Sequence, residues 1–229
     1  MENPALRALD TDLWVASRPL PLWVGDVGCR MTVVRLSDGG LWLHSPVPLD
    51  SQTRAAVDAI GPVRWLVGPN KLHHFYLGDW ARAYPAAAVC GAPGLPEKRR
   101  DLRFHHELAG EAPPPWGDDV PLRGFGGAPV LNEVVFYHPR SRTLIFTDLS
   151  FNVPARRDAP LFFRLVGVVG RFGPSRMVRL AIRDRKAARA SLERILDWEF
   201  DRVIVSHGEV LEHDGRAAVE KAFARYLRA

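Results

Sequence analysis

Apolar and polar positions along the chain predict strands in its first part. Apolar runs cover residues 13–16 and 30–36, and a polar turn at 37–40 leads into a third run over 41–44. Runs of this kind joined by an Asp-Gly turn are typical of an antiparallel meander. We therefore predict that the chain opens with neighbouring strands of one sheet.

A strand–helix–strand unit is predicted next. Small apolar residues recur at helical spacing between residues 50 and 60, and an apolar strand covers 63–67. Parallel strands joined in this way present their functional loops at their carboxyl ends. The adjacent histidines His73 and His74 lie in the loop after this strand.

The rest of the chain predicts a second block of the same kind. Its elements are strands over 120–124, 133–137 and 143–147, a helix over 184–198, a strand over 202–205 and a helix over 215–227. A chain of 229 residues with two such blocks is of the size of a single α/β domain. We expect that domain to span residues 1–229.

Residues 161–172 form the most apolar stretch of the chain. A buried helix or a subunit contact would account for it, and the latter would make the protein a homo-oligomer. A hydrophobic lip over an active site and a loop that touches a membrane are the alternatives. Two glycines and two arginines in the stretch argue against a span of the bilayer.

Composition narrows the class of protein. The hydrophobic fraction of 47% is ordinary for a globular chain, and no run of roughly 18 apolar residues predicts a transmembrane helix. Cys29 and Cys90 are too few for a disulfide scaffold, and the N-terminal residues lack the apolar core of a signal peptide. We therefore expect a cytoplasmic location.

Charge adds little to this picture. The net charge of +5 comes from 31 basic and 26 acidic residues. The basic run at 97–103 could contact phosphates or an anionic membrane surface, but it also contains acids, which favours a solvated loop. No nucleic-acid motif with interleaved aromatic residues accompanies it. We expect a small-molecule substrate and no nucleic-acid partner.

Ligand-capable side chains follow three of the predicted strands. His73 and His74 follow the first parallel strand, Asp148 ends a strand of the second block, and His207 follows the last strand. Neutral imidazoles and carboxylates are donors that zinc, iron or manganese accept. Both adjacent histidines can serve one ion only from a loop, because neighbours in a strand point to opposite faces.

Each of these residues also has a structural interpretation. One of the two adjacent histidines can be a ligand with its neighbour beside it, His207 can be a satisfied core histidine, and Asp148 can cap a loop. Glu133, at the start of a strand, is a further ligand or general base, or an ordinary surface acid. The other histidines have no partner spacing that indicates a shared site: His44, His105, His106, His138 and His213.

The order of these motifs resembles the metallo-β-lactamase fold, an αββα sandwich that carries hydrolases and some redox enzymes. That family places His-x-His-x-Asp-His after a strand, and its later strands end in an aspartate and a histidine. Laid on this chain without gaps, the end of the motif falls on His73 and His74. Its two earlier histidines fall on Pro69 and Lys71.

The later motifs of the family are partly retained. Asp148 matches the bridging aspartate and His207 the last histidine, whereas residues 126–133 hold no counterpart of the remaining histidine. The resemblance implies that one metal subsite is lost. The phrases Pro-Asn-x-x-His-His, Asn-Glu-x-x-Phe-Tyr-His, Leu-Ile-x-Thr-Asp and Ser-His-Gly resemble the bacterial DUF4336 family over nearly the whole chain, which implies a fold without an established reaction.

Two functions follow from these residues and this resemblance. The first is a mononuclear metallohydrolase with one divalent ion, zinc in preference to iron or manganese, bound by His73, His74, Asp148, His207 and, as a further ligand, Glu133. Asp148 or Glu133 would accept the proton of the activated water. The second is a non-catalytic descendant, with or without a metal, that binds a partner through residues 161–172.

Overall fold

A computed structural model describes residues 5–108, 113–157 and 159–228, and within these ranges the chain alternates strands and helices. The strands are β1 (Arg7–Asp10), β2 (Leu13–Arg18), β3 (Pro21–Leu22), β4 (Gly25–Asp26), β5 (Cys29–Arg35), β6 (Leu41–His44), β7 (Val63–Gly68), β8 (Ala88–Gly91), β9 (His106–Glu107), β10 (Leu122–Gly124), β11 (Val134–His138), β12 (Thr143–Ile145), β13 (Phe151–Val153), β14 (Arg171–Gly173) and β15 (Arg202–Ile204). The helices are α1 (Ser51–Asp58), α2 (Leu77–Ala83), α3 (Leu95–Lys98), α4 (Leu161–Leu165), α5 (Arg176–Ala181), α6 (Arg185–Leu196) and α7 (Gly215–Leu227). Short 3-10 helices lie at Gly117–Asp119 and Pro139–Ser141.

Two large sheets contain most of these strands, and β3 with β4 and β13 with β14 form two separate two-stranded sheets. The first large sheet has the order β1-β2-β5-β6-β7-β8-β9, and the second has the order β10-β11-β12-β15. The predicted meander is confirmed, because β2, β5 and β6 pair antiparallel. The predicted crossover is confirmed as well, since β6, β7 and β8 run parallel and α1 connects β6 to β7. In the second sheet β12 and β15 are parallel neighbours.

The inner faces of the two sheets pack against each other. Val34 and Val67 of the first sheet share a buried cluster with Phe136 and Ile145 of the second. Strand side chains alternate between faces, so every second residue of these strands contributes to this inner layer.

The outer faces of the sheets are covered by helices. Leu66 of the first sheet lies in a cluster with Trp80 of α2. Val135 of the second sheet lies in a cluster with Leu192 of α6 and Phe223 of α7. The layers are therefore helix, sheet, sheet and helix, which is the αββα sandwich predicted from the sequence.

Residues 161–172 do not form one helix. The helix α4 ends at Leu165, and the chain passes through Gly167 and Gly170 before it enters β14. Both glycines have a positive φ, of 69° and 74°, which glycine adopts without steric cost. The two glycines thus divide the apolar stretch between a short helix and a strand.

The basic run at 97–103 is only partly a solvated loop. It contains the end of α3, and the Arg99 side chain is only 18% exposed. The β3–β4 hairpin, the β13–β14 pair and α5 were not predicted. Among the described residues, no helix has the length and apolar character needed to cross a bilayer.

Candidate metal centre

Three ligand-capable side chains meet where strands of the two sheets end. His73 lies in the loop after β7 of the first sheet, and Asp148 and His207 follow β12 and β15 of the second. Residues beyond the carboxyl ends of parallel neighbours lie at one edge of a sheet. Their ligand atoms all lie within 4.8 Å of one another. The convergence predicted from the strand ends is therefore seen for these three residues.

The Asp148 carboxylate lies between the two imidazoles. Its Oδ1 is 3.3 Å from Nε2 of His73 and 3.2 Å from Nε2 of His207. The three side chains are only 8–9% exposed. Burial alone would raise the pKa of Asp148, but the two imidazoles hold that pKa far below its usual range. Asp148 therefore brings a negative charge to the centre.

The surroundings of His207 direct one of its ring nitrogens toward this carboxylate. Its Nδ1 lies 3.0 Å from the carbonyl oxygens of both Val27 and Gly28. A carbonyl oxygen only accepts, so Nδ1 carries a proton, and Nε2 is the nitrogen that faces an oxygen of Asp148. A nitrogen lone pair and a carboxylate oxygen are both acceptors, so either a proton on Nε2 or a cation lies between them.

Ser45 holds the ring of His73. The Ser45 hydroxyl is 2.8 Å from His73 Nδ1, which leaves Nε2 to face the centre. Ser45 follows β6 directly and has a φ of 53°, a left-handed conformation that is uncommon for residues with a side chain. Strain of this kind persists where the surrounding structure enforces it. The chain thus keeps an unfavourable backbone angle at the residue that orients His73.

A buried amide joins the centre to Glu133. Asn70 is fully buried, and its Nδ2 donates to Asp148 Oδ2 at 2.9 Å and to Glu133 Oε2 at 3.0 Å. Its Oδ1 accepts from the backbone N–H groups of Leu72 and His73, both at 2.8 Å. One side chain therefore shapes the loop that carries His73 and fixes the carboxylate of Asp148.

Both oxygens of Glu133 are occupied. Oε1 accepts from the backbone N–H of Thr147 at 2.8 Å, and Oε2 accepts from those of Asp148 and Leu149 at 2.8 and 3.1 Å, besides Asn70. Burial, followed by the charge of Asp148, raises the pKa of Glu133 to about 8, and the N–H donors partly offset this rise. Glu133 thus supports the Asp148 loop, and its assignment as a ligand or base stays a prediction.

His74 is turned toward a different neighbour. Its Nδ1 is 3.0 Å from Nη1 of Arg99, and the same guanidinium donates to the His74 carbonyl at 2.7 Å. Burial, followed by the charges of Lys98 and Arg99, lowers the pKa of His74 to about 4. His74 does not belong to the cluster of converging ligand atoms found among the described residues. This arrangement corresponds to the alternative of one ligand with its neighbour beside it. The ligand role predicted for His74 is untested, and we build the proposed centre on His73, Asp148 and His207.

Pro69 and Lys71 occupy the positions of the two family histidines that this chain lacks, and they make other contacts. The Pro69 carbonyl accepts from the backbone N–H of Val134 at 2.9 Å. The Lys71 ammonium lies 3.4 Å from the carbonyl of Pro129. Neither side chain offers a lone pair to a cation.

His44, to which the sequence assigned no role, lies close to the candidate centre. It is 1% exposed, it stacks on Trp42 with ring centroids 5.5 Å apart, and its Nε2 is 3.4 Å from the Thr147 hydroxyl. Burial, followed by the charge of His73, lowers the pKa of His44 to about 3. His44 is therefore a neutral ring packed behind the loop of Asp148.

A cavity of about 400 Å³ opens over the centre, and His73, Asp148 and His207 lie in its wall. The rest of the wall is mostly apolar and comes from the β3–β4 hairpin, the loop after β7, α4 and α5. Its apolar residues include Leu20, Leu22, Val24, Val27, Leu72, Phe75, Val130, Leu131, Phe151, Phe162, Phe163, Val166, Met177 and Val178. Of the alternatives for residues 161–172, a position beside the site is the one that the structure supports, because Phe162 and Phe163 line the cavity wall, although Phe163 also belongs to a buried cluster.

Sequence reasoning missed two residues that support the centre, Asn70 and Ser45. The Pro69-Asn70 pair is a turn signal, and it indicated the loop but not the hydrogen bonds of the amide. Nothing in the local sequence marks Ser45. Its position beside His73 depends on the parallel pairing of β6 with β7.

Solved structures of metallo-β-lactamases match nearly the whole chain. A metallo-β-lactamase from Pontibacter korlensis has 14% identity and a TM-score of 0.66, with 98% of this chain and 99% of that chain covered. One from Erythrobacter litoralis has 16% identity and a TM-score of 0.66, with 98% and 92% covered. FIM-1 from Pseudomonas aeruginosa, in its mono-zinc form, has 14% identity and a TM-score of 0.65, with 97% and 92% covered. The chain therefore has the metallo-β-lactamase fold.

The family within this fold is also identified. Residues 11–165 match the model described as Domain of unknown function (DUF4336). The chain belongs to the DUF4336 family, as the phrases within residues 69–148 indicated, whereas the Ser-His-Gly phrase at 206–208 lies outside the matched residues. No curated protein matches the sequence.

Proposed function

We propose that this protein is a mononuclear metal-dependent hydrolase whose ion is held by His73, Asp148 and His207. The observation that carries the proposal is the orientation of His207, whose Nδ1 is bound to two carbonyl oxygens while Nε2 faces Asp148 at 3.2 Å. Metal-binding histidines commonly donate their second ring N–H to a carbonyl in this way. Two imidazoles and a carboxylate suit zinc first, and iron or manganese next.

One ion fits this chain better than two. Pro69 has no side-chain donor, and the ammonium of Lys71 would repel a cation. These residues stand where the family places two of its histidines. FIM-1, one of the structural neighbours, is in a mono-zinc form.

The chemistry of the site divides between the ion and the protein. A divalent ion at this position would lower the pKa of a bound water and polarise a carbonyl or phosphoryl oxygen. Asp148 Oδ1 is the oxygen that we assign to receive the proton of the water, because Oδ2 is held by Asn70. Glu133 is better suited to hold the Asp148 loop than to act as a base, since its oxygens already accept four hydrogen bonds.

The cavity wall indicates the class of substrate. Its apolar lining favours a small molecule with an apolar group beside the bond that is cleaved. Phe162 and Phe163 would cover that group and exclude water from the site.

The proposal is tested by zinc-dependent hydrolysis. Metal-depleted protein loaded with one equivalent of zinc should hydrolyse members of a panel of esters, thioesters, phosphodiesters and β-lactams with apolar substituents. Asp148→Asn should lower kcat/KM by about a hundredfold or more, because it removes the proton acceptor and a ligand. His213→Ala is the control, since His213 is 81% exposed and pairs with Asp201 away from the centre.

Two results would overturn the proposal. One is a zinc-loaded protein that hydrolyses no member of the panel, which would favour the non-catalytic scaffold. The other is equal activity of Asp148→Asn and the wild type.

A further inference from the structure

Exposed apolar side chains are concentrated at the mouth of the cavity. Nine large apolar residues of the described chain are between 41% and 97% exposed. Five of them belong to the cavity wall itself: Leu22, Leu72, Phe75, Val130 and Met177. Isolated exposed leucines are ordinary on a protein surface, whereas a contiguous group of them indicates an interaction site.

The other four residues of this group are next to wall residues in the chain. Trp23, at the tip of the β3–β4 hairpin, is 97% exposed and follows Leu22. Leu161 and Leu165 of α4 are 67% and 63% exposed, and Leu180 of α5 is 80% exposed. We call the five wall residues and these four chain neighbours the apolar rim.

A groove lined by arginines adjoins this rim. Its wall contains Arg176, Arg179, Arg183, Arg185 and Arg225. Arg176 donates to the Leu165 carbonyl, and among the described residues none of the five forms an ion pair with a carboxylate. The groove therefore carries positive charge that no described acid neutralises.

The charges of two of these arginines also affect the neighbouring Arg171. Burial, followed by the charges of Arg179 and Arg176, lowers the pKa of Arg171. An anion placed in the groove would relieve that repulsion.

The helix α5 is the wall that the two surfaces share. Met177 and Val178 of α5 line the cavity, whereas Arg179 of α5 and Arg183, which follows the helix, line the groove. Leu180, on the groove side, is exposed between the two arginines. The apolar rim and the cationic groove therefore form one continuous amphipathic face.

We infer that this face docks on the surface of an anionic lipid bilayer, with the mouth of the cavity toward the lipid. Two contributions stabilise a protein on a membrane surface. Apolar side chains enter the headgroup region, and basic side chains are attracted to the lipid phosphates. Trp23 suits the headgroup region in particular, because the tryptophan ring is amphipathic. A second copy of the chain fits the face poorly, since an isologous contact would bring two arginine clusters into one interface.

Vesicle binding tests this inference without reference to hydrolysis, so the two proposals can fail separately. Metal-free protein should float with vesicles of phosphatidylcholine and phosphatidylglycerol, and it should bind vesicles of phosphatidylcholine alone much more weakly. The fluorescence of the wild type should shift to shorter wavelength on the anionic vesicles. Trp23→Phe should lose most of that shift.

A matched pair of double variants isolates the groove. Arg179→Gln with Arg183→Gln should weaken binding about thirtyfold, because each arginine near an anionic surface contributes about a factor of five. Arg54→Gln with Arg64→Gln removes the same charge from arginines that pair with Asp58 and Asp38. This control should bind within about twofold of the wild type.

Three results would overturn the inference. They are equal binding to neutral and anionic vesicles, equal losses in the two double variants, and a dimer in solution in which Trp23 is protected from a soluble quencher. The last result would assign the apolar rim to a second copy of the chain.

Discussion

Asn70→Asp is the sharpest perturbation of the network around the centre. The variant keeps the shape of the side chain and the acceptor used by Leu72 and His73, but it replaces the donor with an oxygen that faces Asp148 and Glu133. Two hydrogen bonds are lost: one to the charged Asp148 carboxylate, worth about 1.5–3 kcal/mol, and one to Glu133, whose pKa is raised, worth about 0.5–1.5 kcal/mol. The free energy of unfolding should therefore fall by about 2–4.5 kcal/mol, a large part of the about 5–15 kcal/mol of a typical protein.

Urea unfolding of the metal-free protein measures this loss. The free energy of unfolding is extrapolated to zero urea, and the wild type and the variant can be compared when their dependence on urea concentration is the same. Asn152→Asp is the matched control. Its Nδ2 donates one hydrogen bond, to the Glu209 carbonyl at 3.0 Å, on a partly exposed strand, so the loss should be about 0.5–1.5 kcal/mol. Losses of equal size in the two variants would refute the role assigned to the Asn70 amide.

Three further predictions concern the surroundings of the centre. Ser45→Ala should weaken zinc binding by about 10–100-fold in a chelator competition, since it frees the ring of His73; unchanged affinity would show that Ser45 does not orient the ligand. Stability should fall as the pH drops from about 6.5 to about 3, because the unfolded chain binds a proton at His44 in that window and the folded chain does not. Urea unfolding at several pH values gives the slope of the free energy of unfolding against pH. His44→Phe should lower that slope by about 1.4 kcal/mol per pH unit, the contribution of one proton, and an unaltered slope would contradict the role assigned to His44. Cys29 and Cys90 should both resist a thiol reagent at pH 8 until the protein unfolds, because burial raises the pKa of each to about 12; fast labelling of the folded protein would be the opposite result.

Strand periodicity made most of the fold predictable. Buried strands such as β7 and β12 are mostly apolar runs, so their positions follow from the sequence to within two residues at either end. The αββα arrangement required the resemblance to a family, because a pattern along one chain does not state which sheets face each other. The division of residues 161–172 was less visible, although Gly167 and Gly170 carried the signal.

The site was predictable only at its strand ends. His73, Asp148 and His207 follow strands, and their convergence was predictable for that reason, whereas their role as metal ligands stays a proposal. Asn70 and Ser45 were missed because their contacts depend on loop geometry and on the pairing of β6 with β7. Polar side chains of these kinds are common, and their importance becomes visible only when their hydrogen bonds are known.

X-ray absorption of the zinc-loaded protein tests the central claim most directly. We expect one zinc per chain, with two imidazole nitrogens and one carboxylate oxygen among its ligands and zinc–ligand distances of about 2.0–2.2 Å. The spectrum should be retained in His74→Ala and lost in His207→Ala. A third imidazole that disappears in His74→Ala, or a protein that binds no zinc, would contradict the centre formed by His73, Asp148 and His207.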